Sequence, residues 1–417
     1  MSLNPKRDLR GLADQSIVSA TTLFTTTIFI RAAGLEEFGV LSLVWLVLLF
    51  ATAIQHAALV APAYALLPKL ERQEASEFRG WLVLVQSGLI LLMLLILAGS
   101  WWAPGFSLLP HAPGLLPALF FLAARQGFSF LRLQLFAEAS GPRRALPVDS
   151  LHGLLAVGSL AYLAWNNALD TRSGMLALGL AASLASLFAA RRFLQMGCSL
   201  RLPSRGLRRR HREVSKWLVG KSIAQWFTAN SFLTALGTIQ GPAALGAVRA
   251  AQTLIGVAGV VIQAFENMIP SRAALAYAAG DRMKLRAFML GSARRWYAYL
   301  LVGLLPLVCF PDFFLQLLTG RREQGLREPV QLLAFGAVLA LGILGLQVLL
   351  RTLERVGIVF WAQLTAGLLG ALAAVPICTH FGIRGSLLGL LTQQLIVLLI
   401  LLVAVRRQLR PQLESHA

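Results

Sequence analysis

Residues 89–99 read LILLMLLILAG, an uninterrupted apolar run inside a longer apolar window at 81–101. As a helix that rises 1.5 Å per residue, about 20 such residues cross the hydrocarbon core of a bilayer. A strand of a membrane barrel would instead need about 10 residues of alternating polarity. This stretch therefore predicts a transmembrane helix and excludes an outer-membrane barrel.

Apolar windows of similar length recur along the whole chain. They lie at 12–31, 39–60, 81–101, 115–135, 146–165, 174–195, 215–236, 243–268, 293–310, 330–350, 356–376 and 384–405. The composition agrees, because only 13% of the residues are charged, whereas soluble domains carry about 25%. The sequence predicts an all-α polytopic membrane protein with about twelve transmembrane helices. The polar, basic N-terminus leads directly into a full-length window, so we expect no cleaved signal peptide.

Basic residues are distributed unequally between the two sides of such a topology. Most of the 38 Lys and Arg residues fall in connections on the side that holds the N-terminus. Because this bias marks the cytoplasmic side, both termini are predicted to be cytoplasmic, in a bacterial inner membrane. The net charge of +20 is spread over short connections. We interpret it as a topology signal that also contacts membrane lipids, and we expect no nucleic-acid partner.

Motifs of several enzyme classes are missing from the sequence. Cys198, Cys309 and Cys378 are isolated and the six histidines are scattered, so neither a disulfide framework nor a metal site is predicted. There is no Walker loop, no GxSxG and no HExxH. The sequence gives no support for an ATPase or a membrane protease, and we expect no cofactor.

The two halves of the chain carry related segments. AGLEEFGV at 33–40 and QGPAALGA at 240–247 each link two predicted spans. Gln55 and Pro62 follow the first copy, and Gln263 and Pro270 follow the second, at an offset of about 207 residues. Because an even number of spans separates the copies, the halves are parallel repeats, as in transporters whose site lies between two bundles.

This repeat predicts the organisation of the chain. We expect an N-terminal six-helix lobe at 1–197, a basic cytoplasmic linker at 198–214 and a C-terminal six-helix lobe at 215–417.

Polar residues share one face of the eighth predicted span. At 100° per residue, a stripe less than about a quarter-turn wide holds Arg249, Gln252, Gly256, Gly259, Gln263 and Asn267. The matching positions of the second span are Ser42, Trp45, Leu49, Thr52 and His56. Further polar positions are Gln15 in the first span and Lys221 and Gln225 in the seventh. Both matched helices are therefore expected to turn a polar face toward something other than lipid, although small polar stripes are also typical of close helix packing.

Four basic residues lie within or near the predicted spans: Arg31, Arg125, Lys221 and Arg249. A cation deep in a membrane helix costs about 2.5–3.5 kcal/mol, so Arg125 and Arg249 are expected to face a cavity and to find a partner. Arg31 and Lys221 lie nearer to helix ends and have the alternative of snorkelling to the interface. Since acidic residues are scarce in the spans, we predict a cationic cavity that prefers an anionic ligand such as phosphate.

Residues 14–43, DQSIVSATTLFTTTIFIRAAGLEEFGVLSL, with Gln55 and Pro62 after them, resemble the start of the polysaccharide (oligosaccharidyl-lipid) flippases. These flippases belong to the multidrug/oligosaccharidyl-lipid/polysaccharide (MOP) exporter superfamily. Residues 132–149, RLQLFAEASGPRRALPVD, are similar to that family's connection between the fourth and fifth spans. The resemblance implies two six-helix lobes in a V-shaped, MATE-like arrangement. This sequence departs from the family in having no clear windows for extra helices beyond twelve, so a lipid-tail groove built from such helices is not expected.

The same resemblance implies a function. The cargo would be a polyprenyl-diphosphate-linked oligosaccharide, moved by alternating access from the cytoplasmic to the periplasmic leaflet for O-antigen, exopolysaccharide or capsule biosynthesis. A monomeric flippase would work beside a polysaccharide polymerase and export machinery. The cationic cavity would contain Arg249, Arg125, Lys221 and Arg31, and its polar lining would include Gln252, Gln263, Asn267, Gln15, Gln225 and His56.

Two other functions remain open. A drug/cation antiporter of the same superfamily would be expected to place carboxylates in its cavity. A membrane glycosyltransferase or polymerase would be expected to carry catalytic carboxylates on a large external loop, and the longest external connection here is only 311–329. Glu36 and Glu37 are the best catalytic candidates, but their position is more typical of the first turn of a helix. We therefore expect a transporter rather than an enzyme.

Overall fold

The computed structural model describes residues 5–102, 111–136, 141–199, 201–278, 281–321 and 325–409. The α-helices are α1 (Pro5–Gln55), α2 (Ala61–Leu66), α3 (Arg72–Trp102), α4 (Leu115–Phe136), α5 (Gly141–Trp165), α6 (Thr171–Leu194), α7 (Arg205–Ile239), α8 (Pro242–Ala278), α9 (Asp281–Cys309), α10 (Pro311–Thr319), α11 (Arg327–Thr352) and α12 (Val356–Leu409). A π-helical turn at His56–Val60 joins α1 to α2, and a 3-10 turn at Leu67–Lys69 follows α2. No strand occurs in these ranges, so the all-α prediction is confirmed.

Two of the helices are too long for a single span. α1 has 51 residues and α12 has 54, which corresponds to about 75–80 Å, more than twice the hydrocarbon thickness of roughly 30 Å. Each is interrupted by one glycine with non-helical backbone angles, Gly34 in α1 and Gly382 in α12. Each therefore supplies two spans, and the breaks fall between the windows predicted from the sequence.

The remaining spans follow from length and hydropathy. By these criteria alone, six helices of the described residues cross a membrane, and two bent helix pairs raise the number to eight. α1 and α12 each count twice, and α4 and α7 occupy the remaining windows. Both of these helices carry charged side chains near their middle, such as Arg125 and Lys221, which lowers their hydropathy. The chain is a multi-pass membrane protein with a helix at every predicted window.

The chain divides into two compact units, Met1–Ile223 and Ala224–Ala417. This division falls inside α7, later than the predicted linker at 198–214. Within the first unit, α7 is already helical from Arg205, and the Ser215 hydroxyl donates a hydrogen bond to the carbonyl of Ala58 at 3.0 Å. The lobe boundaries at 197 and 215 stay a prediction.

The repeat has a counterpart in the backbone. Gly34 and Gly241, which occupy matching positions of the two copies, both have a φ of 90°. A positive φ strongly favours glycine. No atom lies within 4 Å of a Cβ built at either position, so the backbone angle, not crowding, requires glycine. The same break in both halves supports the repeat inferred from the sequence.

Small residues of α6 set the position of α4 in the first unit. Ala182, Ala185 and Ala189, spaced three and four residues apart, form a buried cluster with Phe128 and Leu135 of α4. Small side chains let helices approach closely in a membrane. This packing fixes α4, which carries the two arginines described next.

Candidate functional site

Three charged side chains from three helices form a buried network in the first unit. Arg132 of α4 donates to both carboxylate oxygens of Asp149 on α5, at 2.8 and 2.7 Å, and to Asp14 of α1 at 3.0 Å. The Asp14 and Asp149 side chains are only 3% and 2% exposed. Asp14 Oδ1 is buried without a hydrogen-bond partner among the described residues. Because buried charges need partners, this network joins α1, α4 and α5 at one point.

Arg125, two helical turns before Arg132, lies in a cage of rings. Its Nη1 lies 2.7 Å from Nε2 of His152, and its guanidinium lies 5.2 Å from the ring centre of Trp45 and 5.7 Å from that of Phe128. Arginine has donors only, so Nε2 of His152 must accept this bond and the imidazole is neutral. The His152 ring stacks on Phe128 with 4.4 Å between centres. Arg125 is therefore held by contacts within the first unit, while its Nε is buried without a hydrogen-bond partner among the described residues. Its place in a cationic cavity stays a prediction.

The polar stripe of the second span packs against α4. Thr52 donates to the side-chain oxygen of Gln126 at 3.0 Å, and the Gln55 amide donates to the Gln126 carbonyl at 2.9 Å. Trp45 lies against Phe121 with 5.8 Å between ring centres, and Ser42 is buried. These residues thus face a neighbouring helix, which is the packing alternative for such stripes. His56 is exposed, in the π-helical turn.

Arg249 of the second unit has a different environment. Its Nη1 donates to Gln252 on the same helix at 3.1 Å. Among the described residues, its buried Nη2 has no hydrogen-bond partner, and no carboxylate forms an ion pair with it. Gln252 is half-buried, while Gly256, Gly259 and Gln263 along the predicted stripe are exposed. Arg249 therefore combines an uncompensated charge with a free donor.

The other predicted site residues are placed as follows. Arg31 is exposed on α1 just before the Gly34 break, Lys221 is half-buried on α7, and Gln225 is exposed on α7. Lys221 belongs to the first unit and Gln225 to the second. The side chains of Gln15 and Asn267 lie outside the described part of the structure. Of the predicted set, Arg249 and Gln252 are brought into contact.

Glu37, one of the two catalytic candidates, has a structural partner. Its carboxylate accepts hydrogen bonds from the backbone N–H of Thr171, at 2.8 Å, and from the Thr171 hydroxyl. Thr171 is the first residue of α6, where unpaired N–H groups and the helix dipole favour a negative charge. Glu37 thus stabilises the start of α6. Among the described residues, no group of three or more His, Cys, Asp or Glu side chains is placed to hold a metal ion.

Sequence reasoning missed the role of Arg132. The sequence places Arg132 at the end of the fourth predicted span and gives it no role, whereas in the structure α4 continues to Phe136 and the Arg132 side chain is only 21% exposed. The sequence does contain a signal, because the basic Arg132 and the acidic Asp14 and Asp149 lie at the edges of three predicted spans. Their contact depends on which helices are neighbours, and helical periodicity does not contain that information.

Comparison with solved structures identifies the fold. An inward-facing multidrug resistance MATE family transporter of the MOP superfamily matches 97% of this chain over 99% of its own length, with a TM-score of 0.73 and 14% identity. The lipid II flippase MurJ in an inward closed conformation matches 95% of this chain over 87% of its own, with a TM-score of 0.71 and 11% identity.

A third match is to a MOP superfamily transporter from Pyrococcus furiosus. Its binding pocket is described as having reversed polarity, suggesting a different function. It matches 96% of this chain over 94% of its own, with a TM-score of 0.65 and 14% identity. No protein-family model matches the chain, and no curated protein is similar to it in sequence. The chain has the two-lobed, MATE-like fold of these transporters.

Proposed function

We propose that this protein is a MOP-type transporter that moves a polyprenyl-diphosphate-linked oligosaccharide from the cytoplasmic to the periplasmic leaflet, for assembly of a surface polysaccharide. The observation that carries the proposal is Arg249, which has no carboxylate beside it and no partner for its Nη2 in the part of the chain that the structure describes. The fold shared with a lipid II flippase and with MATE transporters supports the class of activity.

The chemistry of Arg249 suits a phosphate group. Gln252 holds Nη1, which orients the guanidinium and leaves Nη2 for a ligand. A planar guanidinium can donate two parallel hydrogen bonds to phosphate oxygens, and each bond to a charged group contributes about 1.5–3 kcal/mol. The cargo would shift the conformational balance only as far as it binds the alternating states differently.

A drug/cation antiporter is the second candidate, because Asp14 and Asp149 place two carboxylates inside the first unit. Both contact Arg132, which already neutralises part of their charge, so a cationic substrate would have to compete with a guanidinium held by three hydrogen bonds. The enzyme reading has less support, because Glu37 is bound to Thr171 at the start of α6.

We further propose that the protein lies in the inner membrane with both termini in the cytoplasm, because of its charge distribution. Single cysteines introduced into a cysteine-free chain at Arg208 and Lys284 would be protected from an impermeant maleimide added outside, while those at Leu35 and Ala112 would react. Labelling at position 208 from the periplasm would contradict the orientation.

The decisive experiment measures transport by the purified protein in liposomes. The probe is a short polyprenyl-diphosphate disaccharide with a fluorescent label, quenched from outside, and a cationic dye serves as the antiporter probe. Arg249→Ala should abolish disaccharide transport, Arg249→Lys should keep part of it because the charge survives without the planar fork, and Arg249→Glu should be at least as inactive as Arg249→Ala.

The matched control is Arg272→Ala, which removes an exposed arginine from the same helix and should leave transport unchanged. Undiminished disaccharide transport per folded Arg249→Ala molecule would remove Arg249 from the site. Transport of the dye alone, with loss in Asp14→Asn, would favour the antiporter.

A further inference from the structure

A pocket of about 620 Å³ lies in the first unit, where α3, the π-helical turn and the start of α7 meet. Its lining includes no member of the Arg132 network, and Arg249 belongs to the second unit. Its lining residues are Ala58, Leu59, Trp81, Val85, Leu89, Arg205, Arg208, Arg209, His211, Arg212 and Ser215. Arginines surround one part of the pocket and apolar side chains the other.

The arginines of the pocket carry an unbalanced positive charge. Arg209 pairs with Glu213 at 3.0 Å, but no described carboxylate forms an ion pair with Arg205, Arg208 or Arg212. Arg208 Nε is buried without a hydrogen-bond partner among the described residues. Such a group is costly unless a ligand satisfies it.

His211 places a further buried polar atom at the pocket. The residue is 4% exposed, and its Nε2 is buried with no partner in the described structure. Its other nitrogen lies 3.3 Å from the Ser215 hydroxyl, and its ring meets Trp81 edge-on with 4.8 Å between centres. The imidazole is therefore fixed in place beside the arginines, and the positive charge of the pocket comes from Arg205, Arg208 and Arg212.

The apolar part of the pocket indicates what else the ligand carries. Trp81, Val85 and Leu89 lie at intervals of four residues on α3 and form one stripe. The same helix exposes Leu84, Leu91, Leu92 and Leu95, as expected of a face in contact with lipid. A ligand with a phosphate at one end and a hydrocarbon chain at the other would satisfy both parts of the pocket.

We propose that this pocket binds the anionic headgroup of a bilayer phospholipid, with an acyl chain along Val85 and Leu89. Basic pockets between membrane helices on the cytoplasmic side are suited to such headgroups, and the predicted topology places the start of α7 on that side. The bound lipid would tie the start of α7 to α3 and the end of the second span. The proposal concerns a lipid of the surrounding leaflet, separate from the transported cargo.

The test measures lipid binding to the purified full-length protein in neutral detergent by native mass spectrometry. Phosphatidylglycerol should bind at least about tenfold more tightly than phosphatidylcholine, since only the former carries a net negative charge. Arg208→Gln with Arg212→Gln should weaken phosphatidylglycerol binding by about tenfold or more. Arg210→Gln, which removes an exposed arginine of the same turn that does not line the pocket, should change it by less than about twofold.

Arg212→Gln alone is a second test variant that should fold normally, because Arg212 is exposed. It should weaken phosphatidylglycerol binding by an intermediate factor. Farnesyl diphosphate, a short polyprenyl diphosphate, tests whether the phosphate bound in the pocket belongs to the cargo. Tighter binding of this compound than of phosphatidylglycerol, with loss in the same variants, would assign the pocket to the cargo and overturn the proposal. Equal binding of phosphatidylglycerol to the double variant and the parent chain would overturn it as well.

Discussion

Arg132 of the first unit and Arg249 of the second have opposite surroundings. In the first, Arg132 binds two carboxylates from two other helices, and Arg125 is enclosed by Trp45, Phe128 and His152. In the second, Arg249 has one amide partner on its own helix, and its buried Nη2 has no partner within the described ranges. The positions related by the repeat differ in the same way, because Ser42 stands in the first unit where Arg249 stands in the second.

This difference separates structure from function. A charge that is satisfied from several helices holds those helices together, and removing it leaves its partners buried and unpaired. A charge that is not satisfied contributes little to stability and is retained for another reason, of which ligand binding is the most direct. The same substitution should therefore lower stability at Arg132 and transport at Arg249.

The largest expected effect is that of Arg132→Met. Methionine keeps much of the side-chain volume but leaves Asp14 and Asp149 buried together without a cation. We expect a loss of about 3–5 kcal/mol in the free energy of unfolding, seen as a lower melting temperature in detergent and lower abundance in the membrane. Arg143→Met is the control, because Arg143 is exposed at the start of α5. A parent-like melting temperature for Arg132→Met would mean that the network does not hold the helices together.

More of the fold than of the site could be predicted from the sequence. Span windows depend only on local apolar runs, and the breaks at Gly34 and Gly382 fall in the gaps between windows. The stripe of Arg249 and Gln252 followed from helical periodicity alone, because both residues lie on one helix. To predict the Arg132 network, one would have to know which helices are neighbours. The sequence contains the three charged residues, but it does not show that they are in contact.

The second effect tests the equivalence of the two halves. Gly34 has φ 90° and ψ 174°, a region that is almost restricted to glycine, and another residue there costs about 1–3 kcal/mol. Gly34→Ala and Gly241→Ala should lower the melting temperature by similar amounts, since both positions have φ 90° and neither is crowded. Gly88→Ala, at an uncrowded position inside α3, should not destabilise the protein. A cost at only one of the two breaks would show that the halves are not equivalent there.

The third effect is a pH dependence confined to the first unit. Burial lowers the pKa of His211 from 6.5 to about 4, and a backbone hydrogen bond at Ala58 acts in the opposite direction. Below pH 6.5 the unfolded chain binds a proton that the folded chain excludes, so stability falls as the pH decreases from about 6.5 toward 4. The loss should reach about 1 kcal/mol near pH 5.5.

His211→Gln should make the melting temperature depend less on pH between these two values. His380→Gln in the second unit is the control, because His380 is exposed and its removal should leave the slope unchanged. An equal slope in the parent chain and in His211→Gln would assign the acid sensitivity to other groups.

The smallest expected change in stability is that of Arg249→Met, and this variant tests the comparison with Arg132 most directly. The substitution is the same as at Arg132, but here it removes a cation that has no described carboxylate to leave behind. Methionine retains packing of the side-chain stem, while the desolvation cost of the unpaired Nη2 disappears. We expect the free energy of unfolding to change by less than about 1 kcal/mol, in either direction.

Melting temperature and liposome transport should be measured on the same preparation of Arg249→Met. Loss of disaccharide transport with a parent-like melting temperature is the expected pair of results, because the guanidinium would then serve the ligand and not the fold. A fall in melting temperature comparable to that of Arg132→Met would mean that Arg249 is satisfied within the protein after all. Arg132 and Arg249 would then both serve the fold, and the main support for an anionic cargo would be gone.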